Sequence, residues 1–216
     1  MKKVLLIALA LISCLAAEAQ LPIIKPSWTY KISSETYKNG YDGPHNQLIY
    51  DFYYNGTRWD RLGGEVKNVV ASSSLKPQGR ANYKAANIND RNEKTAWVEG
   101  VKGYGIGQWV MYQGLSEDIQ ITSINILNGY VKSDKAWREN ARVKYLKVYC
   151  NNKPICIFEL KNSRSIQSFD VKDLLDNYLV KTLKFEILDV FPGTKYQDTA
   201  ITEIYFDGWE KWGLDY

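Results

Sequence analysis

The sequence predicts an all-β fold, an antiparallel sandwich or barrel, and three observations lead to this prediction. Short segments in which apolar and polar residues alternate recur from residue 66 onward, and this period of two is typical of half-buried strands. Gly, Asn, Pro and Asp separate the segments, as turn residues do. Helical periodicity is scarce. Folds of this kind carry their functional side chains mainly on loops at one end of the sandwich.

Six segments predict the main strands, in the chain order QWVMYQ, ITSINILN, VKYLKVYC, PICIFEL, LKFEIL and ITEIYF. They alternate in polarity and are rich in Val, Ile, Tyr and Phe, which favour strands. Only VKDLLDNYL and YKAANIND suggest helices, each of a turn or two. We therefore predict one β-rich domain over residues 67–216.

The N-terminus predicts export from the cytoplasm. Two lysines precede an apolar run, and the tripeptide AEA that ends at Ala19 has small residues where a signal peptidase reads them. Residues 1–19 are therefore predicted to be a signal peptide, which makes the mature protein secreted or periplasmic. A lipoprotein processing site at Cys14, which would anchor the chain through a lipid, is the alternative. No later apolar segment approaches the length of a membrane span.

Residues 20–66 differ in composition from the rest of the chain. They are rich in Tyr, Asn and Gly, and contain two strand-like stretches, Trp28 to Ile32 and Gln47 to Tyr54. We interpret them as an N-terminal extension packed on the main domain. A separate small module is the alternative, because Gly63-Gly64 makes a natural joint.

Cys150 and Cys156 flank a predicted chain reversal in the segment VYCNNKPICIF. A three-residue loop would place them directly across two strands, whereas a two-residue loop would offset them. A disulfide is plausible in a secreted protein but demands a narrow geometry. Two small buried hydrophobic side chains are the equally favoured alternative.

Composition argues against several function classes. The formal charge is +4, and +3 once residues 1–19 are removed, with basic residues scattered rather than clustered, which disfavours nucleic-acid binding. The single histidine, His45, has no nucleophile motif beside it and cannot build a histidine-rich zinc site. The glycines of GVKGYGIG match neither phosphate-binding fingerprint. We predict no catalytic residues.

Carbohydrate binding fits the loops better. Sugars present C–H faces that lie on aromatic rings and hydroxyls that need forks of donors and acceptors. Each candidate also has a structural alternative: Trp97 as a lid on the core, Arg142 as an ion-pair partner, Asn128 as a turn residue. The predicted glycan-binding residues, which recur at successive strand ends, are Trp97, Glu99, Asn128, Tyr130, Lys132, Asn140, Arg142, Tyr196 and Asp198.

The segments TAWVEGVKGYGIG, NGYVKS, ENARVK and YQDTAITEI, in this order, resemble the discoidin-like domains known as NADase-type glycan-binding domains. These domains are relatives of the coagulation-factor C-type and galactose-binding-like modules, and the resemblance runs from about Val69 to Phe206. It implies a discoidin-like jelly-roll β-sandwich whose loops bind carbohydrate. NADase in the family name refers to a separate catalytic domain of a toxin, so we expect no NAD glycohydrolase activity here.

The same resemblance implies a structural calcium in the loop NINDRNEKTAW. Its ligands would be Asp90, Asn92 or carbonyls near it, Thr95 and Glu203. Arg91 stands where the family usually has glycine, which counts against the ion. The alternative is a loop closed by hydrogen bonds between Asp90 and Thr95.

The sequence thus predicts a secreted, non-catalytic module that binds a glycan. It requires no cofactor, and the calcium implied by the resemblance is the single candidate ion. The first alternative is a bacterial envelope module that binds a protein partner, or is structural, through the same aromatic loops. The second is a glycan hydrolase that uses a pair of the acids.

Overall fold

A computed structural model of the chain describes residues 20–30, 68–90, 92–115 and 119–210. The predicted signal peptide, Cys14, His45 and the stretch Gln47 to Tyr54 lie outside the described residues, so the predictions about them remain predictions. Among the described residues, no helix has the length and apolar character to cross a bilayer.

The described residues form eleven strands, and the six predicted segments are all confirmed as strands. The strands are β1 (Ile23–Ile24), β2 (Trp28–Tyr30), β3 (Asn68–Ala71), β4 (Trp97–Val98), β5 (Trp109–Gln113), β6 (Ile119–Asn128), β7 (Ala141–Cys150), β8 (Lys153–Glu159), β9 (Ile166–Asp170), β10 (Thr182–Phe191) and β11 (Thr199–Glu210).

Three short helices accompany the strands. A 3-10 helix at Ala85–Asn89 and helix α2 at Lys172–Leu175 lie within the two segments predicted to be helical. Helix α1, Asp134–Glu139, was not predicted. Its start carries a recognisable capping signal, because the Ser133 side chain accepts a hydrogen bond from the backbone N–H of Ala136.

The strands form two facing layers that are joined at one strand. One layer has the order β2-β9-β6-β11-β4 and the other β1-β8-β7-β10-β5-β3. They connect where the first residues of β11, Thr199 and Ala200, pair in parallel with the start of β7. The core lies between the layers. Phe158 of one layer stacks on Phe169 of the other, with ring centroids 4.1 Å apart.

The described part of the N-terminal extension adds a strand to each layer. Ile23–Ile24 pairs in parallel with β8, and Trp28–Tyr30 pairs antiparallel with β9. Residues 20–30 therefore run from the edge of one layer to the edge of the other. The arrangement of the rest of the extension stays a prediction.

The cysteine hairpin has the two-residue loop. Asn151 and Asn152 both adopt positive φ, 48° and 66°, as a type I′ turn requires. Cys150 is therefore opposite Lys153, and Cys156 is opposite Val148. Both thiols are free and buried, which agrees with the alternative of two small core side chains.

These thiols are expected to resist modification in the folded protein. Burial raises the pKa of Cys150 to about 11 and that of Cys156 to about 12, from an ordinary value of 9.0. A thiol-reactive disulfide reagent at pH 8 should label neither cysteine of residues 20–216 without denaturant, and both in urea. The stability that the protonated thiols confer is complete below about pH 9 and falls as pH rises toward 11 or 12. Rapid labelling of the native protein would contradict the structure.

Candidate functional site

Three loops meet at one end of the sandwich, which we call the loop end: residues 99–108, 129–140 and 192–198. Two backbone bonds hold the last two loops together. The Ala141 N–H donates to the carbonyl of Asp198 at 3.0 Å, and the Tyr196 N–H donates to the carbonyl of Glu139 at 2.8 Å. The strand ends therefore do bring the predicted loops to one place. The predicted residues divide, however, into buried supports and exposed groups.

Trp97 is a core residue and not a stacking platform. Its side chain has 0% exposure, and its indole Nε1–H donates to the Ser73 carbonyl at 2.9 Å. Because both the ring faces and the polar tip are buried, no ligand can stack on it. The prediction for Trp97 is corrected accordingly, in favour of the core alternative.

Asn128 and Glu99 are also buried, and their polar atoms are engaged by backbone. The Asn128 amide donates to the Val143 carbonyl at 2.7 Å and accepts from the Val143 N–H at 3.0 Å. The Glu99 carboxylate accepts from the N–H groups of Val101, at 2.8 Å, and Thr199, at 3.2 Å. Neither side chain is exposed to bind sugar hydroxyls as we predicted, since both are 0–1% exposed.

The Glu99 carboxylate instead shapes the loop that follows it. Gly105, at φ 65°, packs so closely on Glu99 that a Cβ there would lie 2.4 Å from the glutamate Cγ. Burial raises the pKa of Glu99, the two N–H donors lower it, and the charge of Asp198 adds to the rise. The glycine-rich stretch therefore folds over a buried carboxylate. It leaves two apolar side chains, Val101 and Ile106, exposed at 39% and 55%.

Arg142 is a structural centre beneath the loop end. Its guanidinium donates to the Asn162 side chain at 2.9 Å and to the carbonyls of Trp137, Asn140 and Pro192 at 2.9, 2.9 and 3.2 Å. It also lies 4.5 Å from the centroid of the Trp137 ring. With 6% exposure, it supports two loops and does not present its charge to a ligand. Its predicted role is corrected on this ground.

Asn140 ends helix α1. Its side-chain amide donates to the Ala136 carbonyl at 2.8 Å, and its own carbonyl accepts from Arg142. It is only half-buried, so its amide oxygen can still meet a ligand.

A polar-aromatic cluster at the loop end consists of Tyr83, Tyr130, Lys132 and Asp198. Tyr130 is buried, at 6% exposure, so the prediction of an open stacking face there is corrected, while Lys132 is exposed and Asp198 half-buried. The two tyrosine rings meet edge to face, with centroids 6.2 Å apart. The Lys132 ammonium lies 4.6 Å from the centroid of the Tyr130 ring. Burial, Tyr130 and Asp198 raise the pKa of Tyr83, against the effect of Lys132. Two phenol rings and an ammonium are thus in contact, with the charge of the Asp198 carboxylate reaching Tyr83.

Tyr83 was missed by the sequence analysis. It precedes the 3-10 helix, in a segment that we examined only for helical pattern, and is 9% exposed. The signal that could have found it is its place next to the predicted calcium loop, which the Tyr130 hydroxyl also touches by donating to the Lys94 carbonyl at 3.2 Å.

Tyr196 is the most exposed of the predicted aromatic residues, at 41%. The Lys195 ammonium lies 4.8 Å from the centroid of its ring. Its backbone is fixed against the end of helix α1 by the bond to Glu139. A ring that is both exposed and held at its backbone suits stacking on a sugar face.

The four predicted calcium ligands lie together. The Thr95 hydroxyl oxygen is within 2.7–2.9 Å of both Asp90 carboxylate oxygens and of the Asn92 carbonyl. The Asn92 N–H donates to the buried Glu203 carboxylate at 2.9 Å. Arg91 lies outside the described residues.

This loop fits an oxygen-seeking cation. One hydroxyl hydrogen cannot satisfy the three acceptors around Thr95 Oγ1, and carboxylate, carbonyl and hydroxyl oxygens are the donors that calcium takes. Within the described residues, no group of three or more His, Cys, Asp or Glu is placed to hold a metal. Neutral oxygens, from Asn92 and Thr95, supply half of the proposed ligand set.

Comparison with protein families settles the classification. Residues 59–207, more than half of the chain, match the NAD glycohydrolase translocation F5/8 type C domain. The chain belongs to this family. The resemblance stated from the sequence is thereby confirmed. Among curated proteins, none matches the sequence significantly.

Solved structures share the fold at low identity. The CBM32-1 and CBM32-2 domains of Clostridium perfringens ZmpB match with a TM-score of 0.54 and 12% identity, over 91% of this chain and 43% of theirs. The same domains in complex with GalNAc match with a TM-score of 0.48 and 15% identity, over 74% of this chain and 40% of theirs. Chitosan-binding module 2 of a Paenibacillus sp. IK-5 chitosanase/glucanase, in complex with chitotriose, matches with a TM-score of 0.45 and 13% identity, over 68% and 99%.

The first of these likenesses confirms the predicted discoidin-like, galactose-binding-like jelly roll for this member of the family. This chain spans less than half the length of the ZmpB structure.

Proposed function

We propose that this protein is a secreted module that binds a glycan at the loop end without cleaving it. The observation that carries the proposal is the polar-aromatic cluster, which combines ring, ammonium and carboxylate on an end formed by three loops. Membership in the F5/8 type C family and the fold shared with CBM32 domains support it.

In this proposal the exposed groups have distinct tasks. Tyr196 offers a ring for the C–H face of a sugar. Lys132 donates to hydroxyl or acidic oxygens, and Asp198 accepts from hydroxyls. Trp97, Glu99, Asn128 and Arg142 keep the loops in place below them. A shallow site of this size is expected to hold one sugar with a dissociation constant of about 1 mM.

The carboxylates of the cluster support the proposal of binding without cleavage. Glycoside hydrolysis needs a pair of carboxyl groups across the bond, and Glu99 already accepts two backbone N–H groups. Asp198 is the only member of the polar-aromatic cluster that carries a carboxylate. Incubation with a bound glycan should therefore release no reducing ends.

Replacing Lys132 and Asp198 together with alanine should weaken glycan binding about tenfold or more, because each exposed charged hydrogen bond contributes a few-fold. The ligand comes from a glycan-array screen of residues 20–216, and affinity from calorimetric titration. Lys153→Ala is the matched control. Lys153 is exposed and begins β8 opposite Cys150, at the far end of the ten-residue strand β7, about 30 Å from the loop end. Equal affinity of the double variant and wild type would refute the site. Capture of an envelope protein that survives excess free sugar would favour the alternative function.

We also propose that the loop at residues 90–95 binds a structural calcium, held by Asp90, Asn92, Thr95 and Glu203. The ion would neutralise the two carboxylates and fix the loop against the Tyr130 hydroxyl. Adding 1 mM calcium should raise the melting temperature by about 5–11 °C if the dissociation constant is about 10 μM, and chelation should reverse the rise. Asp90→Asn should abolish the response, whereas magnesium should not reproduce it. An identical melting temperature with calcium and with chelator would reject the ion.

A further inference from the structure

The charged side chains of the loop end are distributed unevenly between surface and interior. Five basic residues lie in its three loops, and all five are exposed: Lys102, Lys132, Lys135, Arg138 and Lys195. Of its four acids, Glu99 is buried, while Glu139 and Asp198 are half-buried. The remaining acid, Asp134, is exposed but forms an ion pair with Arg164. The surface that faces solvent is therefore positive, although the net charge of the chain is small.

Two of these cations are held over tyrosine rings. Lys132 lies on Tyr130 and Lys195 on Tyr196, at 4.6 and 4.8 Å from the ring centroids. A ring beneath an ammonium restricts the lysine and favours its charged form, yet leaves N–H donors directed outward. Among the described residues, neither ammonium has a carboxylate within ion-pair distance.

Asp198 and Glu139 are the half-buried acids of the loop end. The charge of Asp198 raises the pKa of Tyr83 and of Glu99. The charge of Glu139 raises the pKa of Lys195. The pKa of Lys195 is raised, first by its hydrogen bond with Tyr196 and then by the charges of Tyr196 and Glu139. Lys195 therefore stays charged at neutral pH.

Both pairs flank one short segment of chain. Gly129, next to Tyr130, donates its N–H to the Ala200 carbonyl at 3.1 Å, and Tyr196 lies four residues before Ala200 in the sequence. The two ring-supported cations thus lie on two loops of the loop end, 129–140 and 192–198, which the bond from the Tyr196 N–H to the Glu139 carbonyl holds together. Neutral sugars carry no charge for these cations to attract, whereas a carboxylate or sulfate on a sugar accepts charge-assisted hydrogen bonds from them.

Resting on the proposed glycan function, we infer that the ligand is an acidic glycan, whose carboxylate or sulfate groups are bound by Lys132 and Lys195 while its ring contacts Tyr196. Uronic acids, sialic acids and sulfated sugars all carry such a group, and the chemistry they share is an anionic oxygen cluster. Recognition of this kind is sensitive to salt, because exposed charges are screened within about 8 Å at physiological ionic strength.

The test is a glycan array made of matched pairs that differ only in one acidic group, probed with residues 20–216. We expect the bound glycans to be acidic members, with their neutral partners at least tenfold weaker, and binding to fall as sodium chloride rises from 0.05 to 0.5 M. Neutral members that bind as well as their acidic partners would overturn the inference and leave the proposed function intact. An array with no bound glycan, or binding only to anionic lipid vesicles, would overturn both.

Charge-neutral variants locate the effect. Lys132→Gln and Lys195→Gln should each weaken binding of the acidic glycan about fivefold, and binding of its neutral partner by a smaller factor. Lys132→Arg should restore most of the affinity, because it keeps the charge. Lys153→Gln removes the same charge at the opposite end of the sandwich and should have no effect. If it weakens binding as much as the loop-end variants, the attraction is due to net charge and not to this site.

Discussion

Replacement of Arg142 with alanine is expected to lower the free energy of unfolding by about 3–5 kcal/mol, in the range for breaking a buried charged network. The change leaves the carbonyls of Trp137, Asn140 and Pro192 without their shared donor, and a buried acceptor without a partner costs about 1–3 kcal/mol. It also removes the guanidinium from the Trp137 ring. Urea unfolding followed by far-ultraviolet circular dichroism measures the difference.

Two further variants separate this structural role from a role in ligand binding. Arg138→Ala removes an exposed arginine of the same loop and should change stability by less than about 0.5 kcal/mol. Arg142→Lys keeps a charge but cannot reach four acceptors in different directions, so it should recover little of the lost stability. A fully stable Arg142→Ala protein that has lost glycan affinity would show that Arg142 is a contact and not a support.

The strands could be predicted because a period of two records which face of a strand is buried. QWVMYQ shows this directly, since Val110 and Tyr112 are core residues while their neighbours are half-exposed. Helix α1 is six residues long, too short for helical periodicity to appear, so only its Ser133 cap marked it. The two-residue turn at Asn151-Asn152 was one of two open alternatives, and it fixed the offset of the cysteines.

The site was harder to predict because loop position does not determine side-chain direction. Trp97 and Tyr196 both lie beside polar loop residues, yet one is 0% and the other 41% exposed. From the sequence, the Arg142 guanidinium could equally have donated to sugar hydroxyls, whereas in the structure it donates to three backbone carbonyls. What decides is the close approach of backbone: a Cβ on Gly129 would lie 2.7 Å from the Arg142 side chain and 2.8 Å from Trp137. Such contacts between distant segments leave no trace in local sequence.

Replacement of Trp97 with alanine is expected to lower the free energy of unfolding by about 3–5 kcal/mol, the range for truncating a large buried aromatic side chain. Trp97 belongs to the main core cluster, with 0% exposure, and it lies on β4, whose partner β11 joins the two layers. The cavity would therefore open where the sheets connect. Trp28→Ala is the control, because its side chain is 69% exposed, and it should cost less than about 1 kcal/mol.

Trp97→Phe distinguishes a core residue from a ligand contact more sharply than the alanine variant does. Phenylalanine keeps a ring in the core but cannot donate to the Ser73 carbonyl, so it should cost about 1–2 kcal/mol. Below its unfolding transition, this variant should bind glycan with the wild-type affinity, because the ring never meets the ligand. A variant that is as stable as wild type but binds more weakly would return Trp97 to the surface of the site, where the sequence first suggested it.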